Sequence, residues 1–163
     1  MTNVFLFGTL CWPPLLKRVA GQTCPKAEPA VLDGFSVTCA KGHSFPAIHE
    51  GVNEEAKGLL LRDCNEQVLL HLDHYESGFG YQLHPITLQT PHGLISAKVY
   101  LPPKGIEPGA PWNLKNWERE HGQLALEAAF EVMAVQGKMS AAEMMQRYPM
   151  MLVRANARIN ARK

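Results

Sequence analysis

A stretch rich in proline and glycine, Pro102–Pro111, divides the chain into two parts with different hydrophobic rhythms. Before it, apolar residues come in short runs or alternate, the period of a strand. After it they recur at helical spacing. Strands first and helices last predict an α+β domain in which the helices cover the sheet. The helical part is expected from about residue 112 onward.

Val4–Phe7 is a short apolar run that stops at Gly8, as a strand buried on both faces would. Pro13-Pro14 breaks the chain, and Leu15–Ala20 reads as one or two helical turns. Phe35–Cys39 and Gly58–Arg62 are further strands. Tyr81–Leu88 and Ile95–Leu101 form an expected hairpin through the turn Thr90-Pro91-His92-Gly93, with Pro85 at an edge or bulge. Asn65–Tyr75 is expected to be helical, capped by Asn65, with Val68, Leu69 and Leu72 as its apolar stripe. Past the connector, Asn113 is a candidate cap for a helix that aligns Trp117, Leu124, Ala128, Val132 and Val135. Ser140-Ala141-Ala142-Glu143 matches a capping box, and Pro149 is expected to end or restart that helix.

With 163 residues, 46% hydrophobic and 19% charged, the chain has the make-up of one globular domain, taken here as residues 1–163. Its net charge of +1 hides two unlike parts. Met1–Gln146 holds eleven basic and fifteen acidic residues; Arg147–Lys163 holds five basic and no acidic ones. The balanced total argues against a nucleic-acid binder. The basic end would suit an RNA or membrane surface, but the acidic body repels the same partner. The alternative is a helix docked through Leu152, Val153 and Ile159, its arginines outward or paired to the body. The N-terminus lacks a basic n-region, and no apolar stretch approaches the roughly 20 residues that span a bilayer. Four cysteines without a C-x-x-C pair suit free thiols in a cytoplasmic protein.

A few residues are placed to carry chemistry. Phe7-Gly8-Thr9-Leu10 is a strand entering a glycine turn, either a plain turn or one whose N–H groups cradle an anion or oxyanion. Glu76 follows Leu72 and Asp73 by three to four residues, so it can face the same side as Leu72. Among Tyr75, Phe79 and Tyr81 a carboxylate would lose solvation, and its pKa would rise toward a range useful for proton transfer. The plain alternative is a solvated helix-end glutamate. Cys11 is either a nucleophile or a buried thiol, and no base adjoins it in sequence. His71 and His74 lack a third ligand at a recognisable spacing, so no metal is expected. Gly78-x-Gly80 lacks the full dinucleotide fingerprint. Trp112 and Trp117 suit core anchors better than a ligand box.

These segments together resemble the γ-glutamylcyclotransferase-like (AIG2-like) family. Val4-Phe5-Leu6-Phe7-Gly8-Thr9-Leu10 is similar to its V-F-V-Y-G-T-L opening. Phe45-Pro46-Ala47-Ile48 with Lys57-Gly58-Leu59-Leu60 resembles its Y-P-A-I … G-x-L/V segment. Leu72-Asp73-His74-Tyr75-Glu76, with Tyr81 beyond, resembles L-D-x-Y/F-E-G-x-x-Y, and Ala97-Lys98-Val99-Tyr100 resembles A-x-V-Y. The resemblance implies a small mixed β-barrel flanked by helices. It implies an intramolecular aminolysis of a γ-glutamyl amine, amino acid or peptide to 5-oxoproline, without cofactor or metal. Glu76 would be the general base, Gly8, Thr9 and Leu10 would bind the substrate carboxylate, and Phe7, Pro46 and Tyr81 would wall the pocket. Phe7 stands where the family usually has tyrosine, so that hydroxyl is absent.

Pro108-Gly109-Ala110-Pro111-Trp112 and Tyr148-Pro149-Met150-Met151-Leu152-Val153-Arg154-Ala155 resemble the cyclotransferase-like domain of TrgB-type tellurite-resistance proteins, where a Nudix hydrolase domain follows. This implies either a stand-alone relative or an N-terminal domain. It also opens an alternative function, a non-catalytic module that binds a small carboxylate and serves a Nudix partner.

Overall fold

The computed structural model describes residues 1–163. Strand β1 (Thr2–Leu6) runs into a 3-10 turn (Thr9–Cys11) and helix α1 (Pro13–Ala20). A long hairpin, β2 (Ala27–Ala40) and β3 (Pro46–Cys64), precedes α2 (Glu66–Ser77), and a second hairpin pairs β4 (Gln82–Thr90) with β5 (Gly93–Leu101). After β6 (Pro108–Pro111), α3 (Leu114–Trp117), a π turn (Glu118–Gly122) and α4 (Gln123–Ala134) form one continuous helical stretch, and α5 (Ala141–Ala161) closes the chain.

The sheet order is β3-β1-β5-β4-β2-β6, and β2 also pairs with β3. Five strands therefore close into a barrel, with β6 outside on β2. Closure covers most strand edges that would otherwise invite pairing with other chains, although the β2–β4 seam is the single pair Val31–Gln89. The β1–β5 pair is parallel and the others are antiparallel. The molecule is thus an α+β barrel flanked by helices.

The strand β1 explains how two cores share one sheet. Successive side chains point to opposite faces. Phe5 joins Leu32, Leu60, Leu88 and Val99 inside the barrel. Val4 and Leu6 face outward, where Leu15, Val19, Val68, Leu72 and Trp117 cover them. Both faces are dry, so the strand is an unbroken apolar run. Leu60 and Leu61 of β3, and Val99 and Tyr100 of β5, divide in the same way. Gly58 lets β3 approach: a Cβ there would lie 2.1 Å from the Leu6 carbonyl oxygen.

The helix starts follow their caps. Asn65 Oδ1 accepts from Val68 N–H at 2.9 Å, Asn113 Oδ1 from Asn116 N–H at 2.9 Å, and Ser140 Oγ from Glu143 N–H at 3.2 Å. No helix is long and apolar enough to cross a membrane.

Several expectations are corrected. β2 and β3 run far beyond Phe35–Cys39 and Gly58–Arg62, because the extra length carries a solvent-facing row that includes Glu50, Glu54 and Glu55. The connector contains β6, whose prolines are tolerated because it is an edge strand paired at Thr38–Pro111 and Ala40–Pro108. Pro85 sits in β4 opposite Lys98, where β4 has no second partner; it meets β2 only at Val31–Gln89. Pro149 neither ends nor restarts a helix, since α5 runs through it. One lost backbone bond is outweighed by the buried Met144, Met151 and Ala155 and by ion pairs to α4. Those three residues form the docked face, whereas Val153 is 58% exposed. Arg154 pairs with Glu131, Arg158 with Glu127 and Glu131, and Arg162 with Glu127. Three of the five basic residues of this end are therefore ion-paired to two carboxylates of α4.

Candidate active site

Three motifs distant in sequence converge at one end of the barrel. The turn after β1 begins at Gly8, and a Cβ there would lie 2.5 Å from Pro46 Cγ, so only glycine lets the Pro46 ring rest on the turn. The Tyr81 hydroxyl donates to the Pro46 carbonyl at 3.0 Å, tying the end of α2 to the start of β3. The N–H groups of Phe79 and Tyr81 both donate to the Glu76 carbonyl, at 3.1 and 3.2 Å, which folds the chain back after α2. Phe7, Gly8, Thr9, Leu10, Pro46, Glu76 and Tyr81 all line a single cavity of about 650 Å³.

Glu76 follows the buried Leu72 by one turn of α2, is half-buried, and lines the cavity. Its carboxyl makes no hydrogen bond or ion pair within the protein. Loss of hydration pushes it from 4.5 up to about 8. Burial also raises the hydroxyl pKa values of Tyr75, Tyr81, Tyr100 and Tyr148, so the phenols around it stay neutral. Tyr100 donates to the Asp73 carboxylate on α2. The Phe79 ring stands edge-on to Tyr75 (5.8 Å between centroids) and to Tyr148 (5.2 Å).

In the same cavity, the turn Gly8–Leu10 offers backbone N–H groups. The first N–H groups of a helical turn have no partner within it, and the Gly8 N–H makes no backbone bond. A negatively charged group fits there.

The other candidates lie elsewhere. Cys11 is outside the cavity lining; its thiol donates to the Leu6 carbonyl at 3.2 Å, and burial pushes it up to about 12, far from a reactive thiolate. His71 Nδ1 donates to the Ala20 carbonyl at 3.1 Å, and His74 Nε2 to the Val132 carbonyl at 2.7 Å; each binds a helix neighbour. Trp112 and Trp117 pack at 6.1 Å, and Trp12 meets Trp117 at 6.0 Å. Trp117 is both core and cavity wall.

Part of the wall went unread in the sequence. His121 comes from the π turn, an irregularity common at functional sites. Leu124, Met145, Tyr148 and Leu152 come from α4 and α5. The last three follow helical spacing, but that period does not distinguish a core face from a cavity face.

With this geometry in place, the relatives of the chain are informative. The family described as "Gamma-glutamyl cyclotransferase, AIG2-like" matches residues 4–119. AIG2-like protein B of Arabidopsis thaliana is 24% identical over 137 residues, covering 80% of this chain and 77% of that protein. An Arabidopsis thaliana protein solved in solution superposes with a TM-score of 0.60 at 23% identity, covering 85% of this chain and 95% of that one. A solved structure named gamma-glutamyl cyclotransferase superposes with a TM-score of 0.52 at 17% identity, covering 90% and 98%. These structural likenesses show the same fold, and the match over residues 4–119 shows that the chain belongs to the gamma-glutamyl cyclotransferase, AIG2-like family.

Proposed function

We propose that the chain cyclises a γ-glutamyl group to 5-oxoproline and releases the attached amine. The observation that carries this reading is Glu76, an uncommitted carboxyl pushed up to about 8, in one cavity with the N–H groups of Gly8–Leu10. The turn N–H groups hold the substrate α-carboxylate. Glu76 takes a proton from the α-ammonium, and the freed amine attacks the γ-carbonyl. A C–N bond forms in the five-membered ring, and the bond to the leaving nitrogen breaks. One ammonium hydrogen stays on the lactam nitrogen; Glu76 relays the other two, and the amine departs as an ammonium ion. No electrons are exchanged with a co-reactant. Ring closure within one molecule needs orientation more than activation, which Pro46 and Tyr81 provide by shaping the wall.

Incubation with a panel of γ-glutamyl compounds is expected to release 5-oxoproline. Glu76→Gln is expected to lower the rate by at least about 100-fold, the low end of general-base contributions. Tight binding of glutamate without turnover of any compound would instead favour the binding-module reading, in which the same pocket serves a Nudix partner.

A further inference from the structure

The cavity reaches well past the space a γ-glutamyl group fills. At about 30 Å³ for each water-sized unit, 650 Å³ holds roughly twenty heavy atoms, of which the glutamyl group supplies fewer than half. The remainder must receive the leaving amine, and part of the cavity wall lies outside the residues matched by the family. Leu124 on α4, and Met145, Tyr148 and Leu152 on α5, all follow residue 119.

The charges decide what fits there. No lysine, arginine or aspartate lines the cavity, and Glu76 is its single carboxylate. The proposed reaction commits Glu76 to the α-ammonium and the turn at Gly8–Leu10 to the α-carboxylate. His121 is the one other ionisable group apart from the tyrosines; its side chain is 42% exposed and lies 3.9 Å from Glu120. An amine carrying its own carboxylate or ammonium would lose water on this wall and gain no partner. An aromatic or aliphatic amine would bury apolar surface against Leu124, Met145 and Leu152, and an aromatic one has the Tyr148 ring beside it.

We propose that the site is selective for γ-glutamyl amides of apolar, uncharged amines, and that Leu124, Met145, Tyr148 and Leu152 select the leaving amine. This inference rests on the cyclotransferase reading of the same site.

The test measures kcat/KM of the full chain for γ-glutamyl-phenethylamide, γ-glutamyl-isoamylamide, γ-glutamylglycine and γ-glutamyl-ε-lysine, reading 5-oxoproline. Both apolar amides are expected to exceed both charged compounds by at least about 10-fold. Equal values or the reverse order overturn the inference. Leu152→Glu and Leu124→Glu are each made, with circular dichroism as the folding check. A folded variant is expected to shift the ratio toward γ-glutamyl-ε-lysine by about 10-fold; no shift in either folded variant counts against the assigned wall. If no compound yields 5-oxoproline, the reaction reading fails, and calorimetric dissociation constants for the same four compounds decide the selectivity. Tighter binding of the two apolar amides upholds it, and equal or weaker binding overturns it.

Discussion

A carboxyl whose ordinary value is near 4.5 and which folding pushes up to about 8 keeps its proton through a pH range in which an unfolded chain has lost it. Below about 4.5 Glu76 is neutral in both states and folding is not penalised. Between 4.5 and 8 only the unfolded chain releases the proton, so native stability falls as pH rises; above 8 the loss is constant. Glu76→Gln is therefore expected to be more stable than the parent at pH 9, by at least about 1 kcal/mol or roughly 2–4 °C in Tm. At pH 4 the two melting curves are expected to draw together, and a gap that ignores pH would contradict the burial of this group. In the proposed reaction its ionisation also sets the rate. The kcat/KM profile should rise with a midpoint near 8. In kcat that limb should lie lower, because the bound α-ammonium favours the carboxylate. Gly8→Ala places a Cβ 2.5 Å from Pro46 Cγ. A loss of about 1–3 kcal/mol is expected from the forced shift, with a raised KM, and denaturant melts with steady-state kinetics check both. The inward direction of Glu76 was legible from its offset to Leu72. The bond from Tyr100 to Asp73 was not, since it joins residues whose proximity only the barrel creates.

At the level of elements, helix starts were legible because caps are local: Asn65, Asn113 and Ser140 each bond a residue three positions on. Strand lengths were not. Where the β2–β3 hairpin extends into water, Glu50, Glu54 and Glu55 interrupt the apolar pattern that marks a buried strand. Pro149 misled for a related reason, because its local cost is overcome by contacts along the whole of α5. Those contacts give the basic end its role. Arg158 donates to both Glu127 and Glu131 and lies over the Phe130 ring at 5.5 Å. Arg158→Ala is expected to lower Tm and weaken its dependence on salt, read by melts at low and high ionic strength. Arg147→Ala, which breaks no ion pair, should stay within about 0.5 kcal/mol of the parent. Hydrogen bonds from Arg162 and Arg158 hold the Glu127 carboxyl below its ordinary range. The stability from these pairs is present above that range and is lost as pH falls through the lowered value.

On the scale of the whole molecule, the barrel and the helices each contribute a different part of one site. The barrel end supplies Gly8–Leu10 and Pro46, α2 supplies Glu76, and the C-terminal helices enclose the far side. A mixed α+β architecture was legible from the change in hydrophobic period at Pro102–Pro111. Closure was legible only through the family resemblance, because the pairing of β2 with β3, and of β3 with β1, is set by register and leaves no local pattern. The enclosing wall was not legible, since Tyr148 and Leu152 come to line the same cavity as Glu76 only after α5 docks on α4. The central claim is that Glu76 moves protons for an internal aminolysis in this cavity. Its most direct test is product analysis of a γ-glutamyl amide treated with the parent chain and with Glu76→Gln. The expected result is 5-oxoproline and free amine in equal amounts from the parent, with the variant at least about 100-fold slower. Free glutamate in place of 5-oxoproline, or unchanged turnover by the variant, would contradict it.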